Sequence, residues 1–420
     1  MTGSNYWHSV TLDRDLCKGC TNCLKQCPTQ AIRIQKGKAK ILKERCIDCG
    51  ECIRVCPYHA KKAVTDGFSA LENFKYNIAL VAPAFIGQFS KAEDFNMILT
   101  ALTDIGFDSV FEVARGAQEI TKKTREILTN GDNPKPLISS ACPAVCRLIA
   151  VRFPDLIENI IPLRSPMELS ASAARIDAVN KTGFKPSEIG VFFISPCAAK
   201  ATAIKDDKII KKSNVDGVIS IKDTYLRLAQ KIGVVENIKD ISKAGSVGTL
   251  WATSGGEASA TKAKRCVSVD GIHNVIKLLE DIEDDKLRDI DYVEALACPG
   301  GCVGGPLTAE NSFVARARIE RMCKDLPQES DSLDKEIDRL WDSPPQYIPV
   351  MKLSEDLNTA MQMAIKIEDL AASFPGLDCG SCGSPSCRAL AEDIVRGYAK
   401  EDDCIFKLRE KYSRLLNSDK

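Results

Sequence analysis

The residues most able to do chemistry in this 420-residue chain are its cysteines. There are 19 of them, against only three histidines. This balance favours thiolate-bound iron–sulfur clusters over histidine-based zinc, copper or haem sites. The first 16 residues lack a basic stretch followed by an apolar core, so we expect no export signal and a cytoplasmic location. In that compartment cysteines bind metals more often than they form disulfides.

Eight cysteines form two runs with the spacing C-x2-C-x2-C-x3-C, and a proline follows each run. The doubled run is typical of bacterial ferredoxins with two 4Fe-4S clusters, in which the fourth cysteine of each run binds the other cluster. Zinc sites lack this pattern. The predicted ligands are Cys17, Cys20, Cys23 and Cys56 for the first cluster, and Cys46, Cys49, Cys52 and Cys27 for the second.

From about residue 75 the pattern changes to strand-like apolar runs that alternate with helical stretches. The clearest strand-like runs are 77–81, 188–194 and 292–297. Alternation of this kind predicts parallel sheets covered by helices, with ligands beyond the carboxyl ends of the strands. Several of the remaining cysteines fall at those ends, so we expect a shared site there.

Three segments at such strand ends place cysteine beside proline: 139–143 (SSACP), 195–200 (SPCAAK) and 294–305 (EALACPGGCVGG). Together they offer four thiolates, enough for one more 4Fe-4S cluster. The glycines of the third segment would let the backbone approach a bulky inorganic ligand closely. Lys200 could direct an ammonium donor at an anionic ligand in the same cavity. The four cysteines are Cys142, Cys197, Cys298 and Cys302.

These segments resemble the three signature stretches of the iron-only (FeFe) hydrogenases, over about residues 75–325. The resemblance implies that the four cysteines bind a 4Fe-4S cluster. Cys302 would also bridge to a diiron subsite with carbonyl, cyanide and azadithiolate ligands, and Lys200 would hydrogen-bond a cyanide. Ser165-Pro166 and Ser254-Gly255-Gly256 match further stretches that line the family's cavity. In the family, the distal iron acts as a Lewis acid on hydrogen, the dithiolate amine takes the proton, and the cubanes carry the electrons.

The chain departs from the catalytic members at positions that serve proton transfer. Ala141 stands where those members carry a proton-relaying cysteine, and Ser195 and Leu296 replace methionines that flank the diiron unit. Lys123 and Thr124 align with the usual proton-path glutamates. A relay typically contributes about 10²–10⁴-fold, so we expect a slow enzyme unless another carboxylate serves. The candidates, each more often a structural carboxylate, are Glu112, Glu168 and Glu257.

A third cysteine group, spaced C-x2-C-x4-C-x16-C, lies near the C-terminus. It resembles the four-cysteine 4Fe-4S domain of corrinoid iron–sulfur proteins and of some membrane electron-transfer subunits. A structural zinc site is the alternative, because spacing alone does not separate the two. The four cysteines are Cys379, Cys382, Cys387 and Cys404.

Two charged or amphipathic stretches precede that group. Residues 333–342 are expected to be helical, and residues 353–372 have an apolar stripe at helical spacing that indicates packing in a core or against a linker. The stripe is Leu357, Met361, Ile365 and Leu370. The cysteines outside every motif are expected to be plain thiols, and they are Cys146, Cys266 and Cys323.

The sequence therefore predicts three domains. Residues 1–74 form an α+β bacterial-ferredoxin domain with two 4Fe-4S clusters. Residues 75–342 form an α/β H-cluster domain of parallel sheets flanked by helices. Residues 343–420 form a linker helix and a small helical domain with one more 4Fe-4S cluster.

The resemblance implies reversible oxidation of H₂ to protons and electrons, at a low rate that suits a hydrogen or redox sensor. Ferredoxin or another redox protein, and a signalling protein, are the expected partners. The alternative is a hydrogenase-like assembly or electron-transfer protein without the diiron subsite. Basic and acidic residues number 57 each, so no global field favours nucleic acid. No apolar run is long enough for membrane insertion.

Overall fold

A computed structural model describes residues 7–92, 94–130, 133–206, 210–333 and 337–418. Their packing divides the chain into two compact units. The described residues of the first unit fall within 7–9, 47–50 and 63–347, and those of the second within 10–46, 51–62 and 348–418. Residues 10–46 and 51–62 thus share a unit with residues 348–418, while the three-domain division remains a prediction. No helix among the described residues is long and apolar enough to cross a bilayer.

The N-terminal elements build a small α+β module. In it β2 pairs antiparallel with β3, with Ile32 opposite Ile41, and β1 pairs with β4. Lys36 and Gly37 join β2 to β3, and both have positive φ, 50° and 69°, as a tight two-residue hairpin requires. The elements are β1 (Val10–Leu12), α1 (Asn22–Lys25), β2 (Ile32–Gln35), β3 (Lys38–Ile41), α2 (Glu51–Arg54) and β4 (Lys61–Ala63).

The first unit is an α/β body whose strands alternate with helices. Its strands are β5 (Tyr76–Val81), β6 (Ser109–Glu112), β7 (Leu137–Ile138), β8 (Ile189–Ser195), β9 (Gly217–Ser220), β10 (Cys266–Asp270) and β11 (Tyr292–Leu296). Its helices are α3 (Pro83–Ile86), α4 (Phe95–Thr103), α5 (Val113–Thr129), α6 (Pro143–Arg152), α7 (Pro166–Thr182), α8 (Ala198–Ala203), α9 (Ile221–Leu228), α10 (Ser246–Thr249), α11 (Gly256–Thr261), α12 (Ile272–Glu283) and α13 (Ser312–Met322).

Two parallel sheets organise this unit. One has the strand order β6-β5-β8-β9 and the other β10-β11-β7, with every pair parallel. All seven residues of β8 and all five of β11 are buried. Continuous burial is the mark of parallel strands covered on both faces. The predicted α/β fold of parallel sheets flanked by helices is therefore confirmed, and strand ends from both sheets are available to one site.

The C-terminal elements belong to the second unit and are helical. Helices α14 (Leu357–Ser373), α15 (Cys387–Val395) and α16 (Ile405–Ser418) follow one another. A small core joins Ile367 of α14 to Leu390 and Ala391 of α15, and Cys404 lies in that core. A cysteine is therefore part of the apolar core that packs α14 against α15.

Two local expectations are wrong. The stretch 333–342 is not helical in its described part: Leu340 bridges to Leu163 and Leu333 is buried, so tertiary pairing overrides the helical charge pattern. Its residues 334–336 lie outside the described residues. In α14, Leu357, Met361 and Ile365 are 74, 56 and 60% exposed, and the helix packs through Ile367 and Leu370.

Within the second unit, a buried ion pair joins the two ends of the chain. The Arg33 guanidinium donates to both carboxylate oxygens of Asp393, at 2.5 and 3.0 Å. Ser384 also donates to Asp393, and Arg45 pairs with Glu392 at 2.5 Å. The amide of Ile34 donates to the Gly383 carbonyl at 2.8 Å. The N-terminal and C-terminal modules are thus fastened by charge-assisted hydrogen bonds, which are stronger than neutral ones.

We predict that Arg33→Met destabilises the second unit. The substitution leaves the Asp393 carboxylate buried without its cation, which typically costs about 3–5 kcal/mol. Arg388→Met is the matched control, because Arg388 and its partner Glu368 are 62 and 61% exposed and surface pairs contribute little. Thermal unfolding of the cluster-loaded chain measures both. Equal melting temperatures for the two variants would contradict the prediction.

Candidate metal centres

The three predicted segments meet at one cavity in the first unit. Cys142 precedes α6 just after β7, Cys197 precedes α8 just after β8, and the third segment follows β11. About 790 Å³ of space without protein atoms, including its opening, lies between them. Its thiol-bearing residues are Cys142, Cys197, Cys298 and Cys302, and its apolar walls include Pro83, Ala117, Phe193 and Trp251.

The four thiols lie close enough to influence one another electrostatically. Burial raises the pKa of Cys302 to about 12, against a lowering by Lys200, and Cys298 and Cys142 raise it further. Burial also raises the pKa of Cys197, and the same two cysteines add to the effect. Such thiols lose their protons only when a cation replaces them. This donor set suits a four-thiolate iron–sulfur cluster.

Lys200 brings a buried positive charge to the same cavity. It is only 9% exposed, and its Nζ donates to the carbonyl oxygen of Ala141 at 3.3 Å. The centroid of the Phe193 ring lies 6.0 Å from the Lys200 Nζ. An ammonium held by a single carbonyl can still donate to a ligand, so the cavity favours an anionic occupant.

Three of the five positions at which the chain departs from the catalytic members lie at or beside this cavity. Ala141 and Leu296 both line the cavity and present no group that transfers a proton. Ser195 is fully buried, and its hydroxyl donates to the Cys197 carbonyl at 3.1 Å and accepts from the Cys197 amide at 3.0 Å. The Ser195 hydroxyl therefore shapes the turn that presents the Cys197 thiol.

The glycines near Cys302 allow their loop to pack closely against neighbouring backbone. A Cβ on Gly304 would lie 2.0 Å from the Pro299 carbonyl oxygen, and one on Gly305 would lie 2.3 Å from the Pro196 carbonyl oxygen. At Gly301, where φ is +92°, it would meet the Ser254 amide at 2.7 Å. Gly301 and Gly305 also line the cavity, so the expected close approach to an inorganic ligand stays a prediction. Gly304 and Gly305 let the Cys302 loop pack on its own start and on the Cys197 turn.

Two of the three candidate proton-path carboxylates hold loops in place. Glu112 accepts hydrogen bonds from Ser242 and from the backbone amides of 243 and 244. Glu168 accepts from the Ser213 hydroxyl at 2.6 Å and the Asn214 amide at 2.9 Å. Each is buried and satisfied by a neighbouring loop, so the structural interpretation fits both.

Glu257 differs because it lines the cavity. Its carboxylate accepts from the Ser139 hydroxyl at 2.8 Å and the Tyr292 hydroxyl at 2.6 Å. Burial and the neighbouring Glu294 raise the pKa of Glu257 to about 8. Glu294 in turn accepts from the Ser268 hydroxyl at 3.4 Å, and Ser268 is exposed. The sequence interpretation missed Glu294 and Tyr292, although a glutamate inside the apolar strand β11 was a visible signal.

Several of the N-terminal thiols lie near one another, while their division into two ligand sets stays a prediction. Burial raises the pKa of Cys23 to about 11, Lys61 lowers it, and Cys20, Cys56 and Cys17 raise it further. Burial likewise raises the pKa of Cys52, which Lys61 lowers and which Cys46 and Cys27 raise. Backbone amides donate to three sulfurs, as in sites that bind thiolates: Ala39 to Cys17 at 3.4 Å, Ala31 to Cys27 at 3.2 Å and Ala60 to Cys56 at 3.3 Å.

The C-terminal thiols line a cavity of their own. About 320 Å³ of space lies between them in the loop before α15 and the start of α16. Asp378 fixes this loop by accepting from the Cys387 amide at 2.7 Å. The thiols are those of Cys379, Cys382, Cys387 and Cys404. Of the remaining cysteines, Cys146 and Cys323 are buried and Cys266 is exposed.

Comparison with known families agrees with these three regions. The family described as "Iron only hydrogenase large subunit, C-terminal domain" matches residues 75–263 and 224–306, more than half of the chain. A 4Fe-4S dicluster domain matches residues 9–57, and an Fe-S cluster domain matches residues 374–406. Along the sequence, a 4Fe-4S dicluster domain thus precedes the hydrogenase-type domain and an Fe-S cluster domain follows it.

Individual relatives are distant. Iron hydrogenase 1 of Clostridium pasteurianum is 25% identical over 71% of this chain, which spans 64% of that protein's length. A probable cytosolic Fe-S cluster assembly factor of Caenorhabditis elegans is 26% identical over 49% of this chain and 57% of its own. A solved FeFe-hydrogenase variant from Chlamydomonas reinhardtii is 17% identical with a TM-score of 0.48, over 63% of this chain and 90% of its own.

We predict that Cys379→Ser lowers the iron content of the purified chain by about four atoms, since a 4Fe-4S cluster needs four thiolates. Cys266→Ser, which replaces another exposed cysteine, should leave the iron content unchanged. Iron and acid-labile sulfide are counted per chain. Unchanged iron in Cys379→Ser, together with bound zinc in the parent, would favour the structural zinc alternative.

Proposed function

This chain belongs to the iron-only hydrogenase family, and we propose that it holds an H-cluster and oxidises H₂ reversibly to protons and electrons at a low rate. We further propose that the low rate serves to report hydrogen or redox state in the cytoplasm. The observation that supports the proposal best is one cavity that combines four thiols with the buried Lys200 ammonium.

The residues present fit the H-cluster by the chemistry of their donors. Cys142, Cys197 and Cys298 would bind the cubane, and Cys302 would bind it and bridge to the diiron subsite. When bound, the cluster supplies an iron Lewis acid with an open position and an amine that takes a proton. Lys200 would orient the subsite, because its ammonium is the cationic donor that lines the described part of the cavity.

Slow turnover follows from what surrounds the cluster position. Ala141 stands where a proton-relaying thiol is expected and holds no transferable proton. Leu296 replaces a flexible methionine with another apolar wall. Loss of an acid–base relay typically costs about 10²–10⁴-fold in rate. A site that binds H₂ without rapid turnover suits a sensor.

A replacement proton route runs through Glu257. Its raised pKa, caused by burial and by Glu294, lets it hold a proton near neutral pH, where general acids are most effective. Ser139 and Tyr292 fix its carboxylate. Glu294 and the exposed Ser268 continue the polar path to the surface. The chain would thus move protons on the β11 side of the cavity.

Electrons would pass through the cubanes of the second unit. The Arg33–Asp393 ion pair and the Ile34–Gly383 hydrogen bond hold the C-terminal cluster domain on the ferredoxin module. At Gly380, next to the proposed ligand Cys379, a Cβ would lie 3.3 Å from Leu24, the neighbour of Cys23. Ferredoxin or another redox protein is the proposed external partner, and a signalling protein would read the cluster state.

A second candidate function is iron–sulfur assembly or electron transfer without the diiron subsite. The similarity to a cytosolic assembly factor over 260 residues favours it, as does the absence of a proton donor at Ala141. In that case the four central thiols hold a plain cubane. The Lys200 ammonium then faces the cubane alone.

We predict that the chain, reconstituted with the diiron cofactor, shows carbonyl and cyanide infrared bands that shift under hydrogen. Cys302→Ala should lose these bands, because it removes the bridging thiolate. Cys146→Ala should keep them, since the Cys146 thiol is buried and donates to the Ser140 carbonyl. The absence of bands in the parent, together with no hydrogen evolution from reduced viologen, would favour the second candidate function.

We also predict that Glu257→Gln slows hydrogen evolution by roughly 10²-fold, because the amide cannot carry a proton. In the parent, the rate should fall as the pH rises through about 8, where Glu257 loses its proton, and this step should vanish in the variant. Glu168→Gln is the matched control, another buried glutamate, held by Ser213 and Asn214. Equal rates for parent and Glu257→Gln would place the proton route elsewhere.

A further inference from the structure

The second unit contains a buried lysine that has no role in the proposed hydrogen chemistry. Lys61, the first residue of β4, is only 2% exposed. Among the described residues, no atom accepts a hydrogen bond from its Nζ. An isolated ammonium in an apolar interior is strongly disfavoured. The environment of Lys61 would therefore favour an anionic group close to its Nζ.

The internal repeat of the ferredoxin module shows that this position need not be charged. Each cysteine run ends in C-P-x-x-A, and the residue that follows is Ile32 in the first run and Lys61 in the second. Both side chains are 2% exposed, and Ile32 lies in the apolar core of the module. One half of the repeat thus carries a core isoleucine where the other half carries a buried cation.

The neighbours of Lys61 are the thiols of both predicted clusters. Ala60, the residue before Lys61, lies in one core with Cys23 of the first set, and Cys27 and Cys52 of the second set pack against that core. The adjacent amide of Ala60 donates to the Cys56 sulfur at 3.3 Å. A cubane with four thiolate ligands is anionic, and nearby charges and hydrogen bonds to sulfur set its reduction potential.

We propose that the Lys61 ammonium is the internal counter-charge of the two N-terminal 4Fe-4S clusters and raises their reduction potentials. A one-electron reduction adds one negative charge to a cubane, and a buried cation stabilises that charge more than a surface cation does. The module would therefore accept electrons from a weaker reductant than a ferredoxin with isoleucine at both positions. The proposal depends on the ferredoxin clusters and not on hydrogen turnover.

Anaerobic redox titration of the full cluster-loaded chain, followed by electron paramagnetic resonance, tests this. In Lys61→Met, the equilibrium constant for one-electron reduction of the N-terminal cubanes should fall about tenfold, which is about 59 mV for one electron. Lys62→Met is the matched control, because it removes the same formal charge from the next residue. The Lys62 side chain is 53% exposed and pairs with Asp13 at 2.8 Å, so water already screens it.

Unchanged potentials in Lys61→Met with a full iron count would overturn the proposal, as would an equal shift in Lys62→Met. Ile32→Met reports the effect of a methionine at the repeated core position without loss of charge, and its potentials should match the parent. Should Lys61→Met lose iron, Lys61→Arg keeps the charge and must restore both the iron and the parent potentials. Failure of the arginine variant to do so would also refute the role of the charge. A loss of hydrogen evolution with normal N-terminal potentials would count against the proposed function alone.

Discussion

The first unit depends on one costly arrangement, four thiols from three separate loops brought together in a cavity that is mostly apolar. Burial and mutual repulsion raise the pKa values of Cys197 and Cys302, so the thiols stay protonated until iron replaces their protons. Binding of the cluster then contributes directly to the stability of the fold. The two parallel sheets make the arrangement feasible, because the loops after β7, β8 and β11 all open on one side. Ser195 and the glycines after Cys302 let those loops pack closely.

The buried charged residues of the first unit fall into two groups, those that hold loops of the scaffold and those that line the cavity. Glu112 and Glu168 are buried, but amides and hydroxyls of neighbouring loops satisfy them, so they hold the scaffold. Lys200 has one carbonyl for its ammonium, and Glu257 shares its burial with a second carboxylate. Both line the cavity. Buried charged groups with few hydrogen-bond partners gather where ligands and protons are handled, and Lys61 is such a group in the ferredoxin module.

Patterns that act over short distances predicted much of this structure. The cysteine spacings located three thiol groups, and the apolar runs located β5, β8 and β11. Contacts between distant segments escaped prediction, because spacing does not report which loops meet. Leu340 pairs with Leu163 in place of a helix, and Arg33 pairs with a residue 360 positions away. Glu294 in the apolar strand β11, and Lys61 at the repeat position of Ile32, are charged residues where the sequence pattern predicts apolar ones. Such exceptions to a local pattern often mark functional residues.

The ion pair between Arg33 and Asp393 has a consequence for the synthesis of the protein. Arg33 leaves the ribosome early, and its partner Asp393 follows 360 residues later, roughly 20–70 s behind at about 5–20 residues per second. During that interval the ferredoxin module carries the Arg33 guanidinium without its partner Asp393, while its eight cysteine thiols have already been made. Delivery of iron and sulfide to the nascent chain would therefore compete with oxidation of those thiols. A cell that makes this protein benefits from completing translation before, or under the same protection as, cluster insertion.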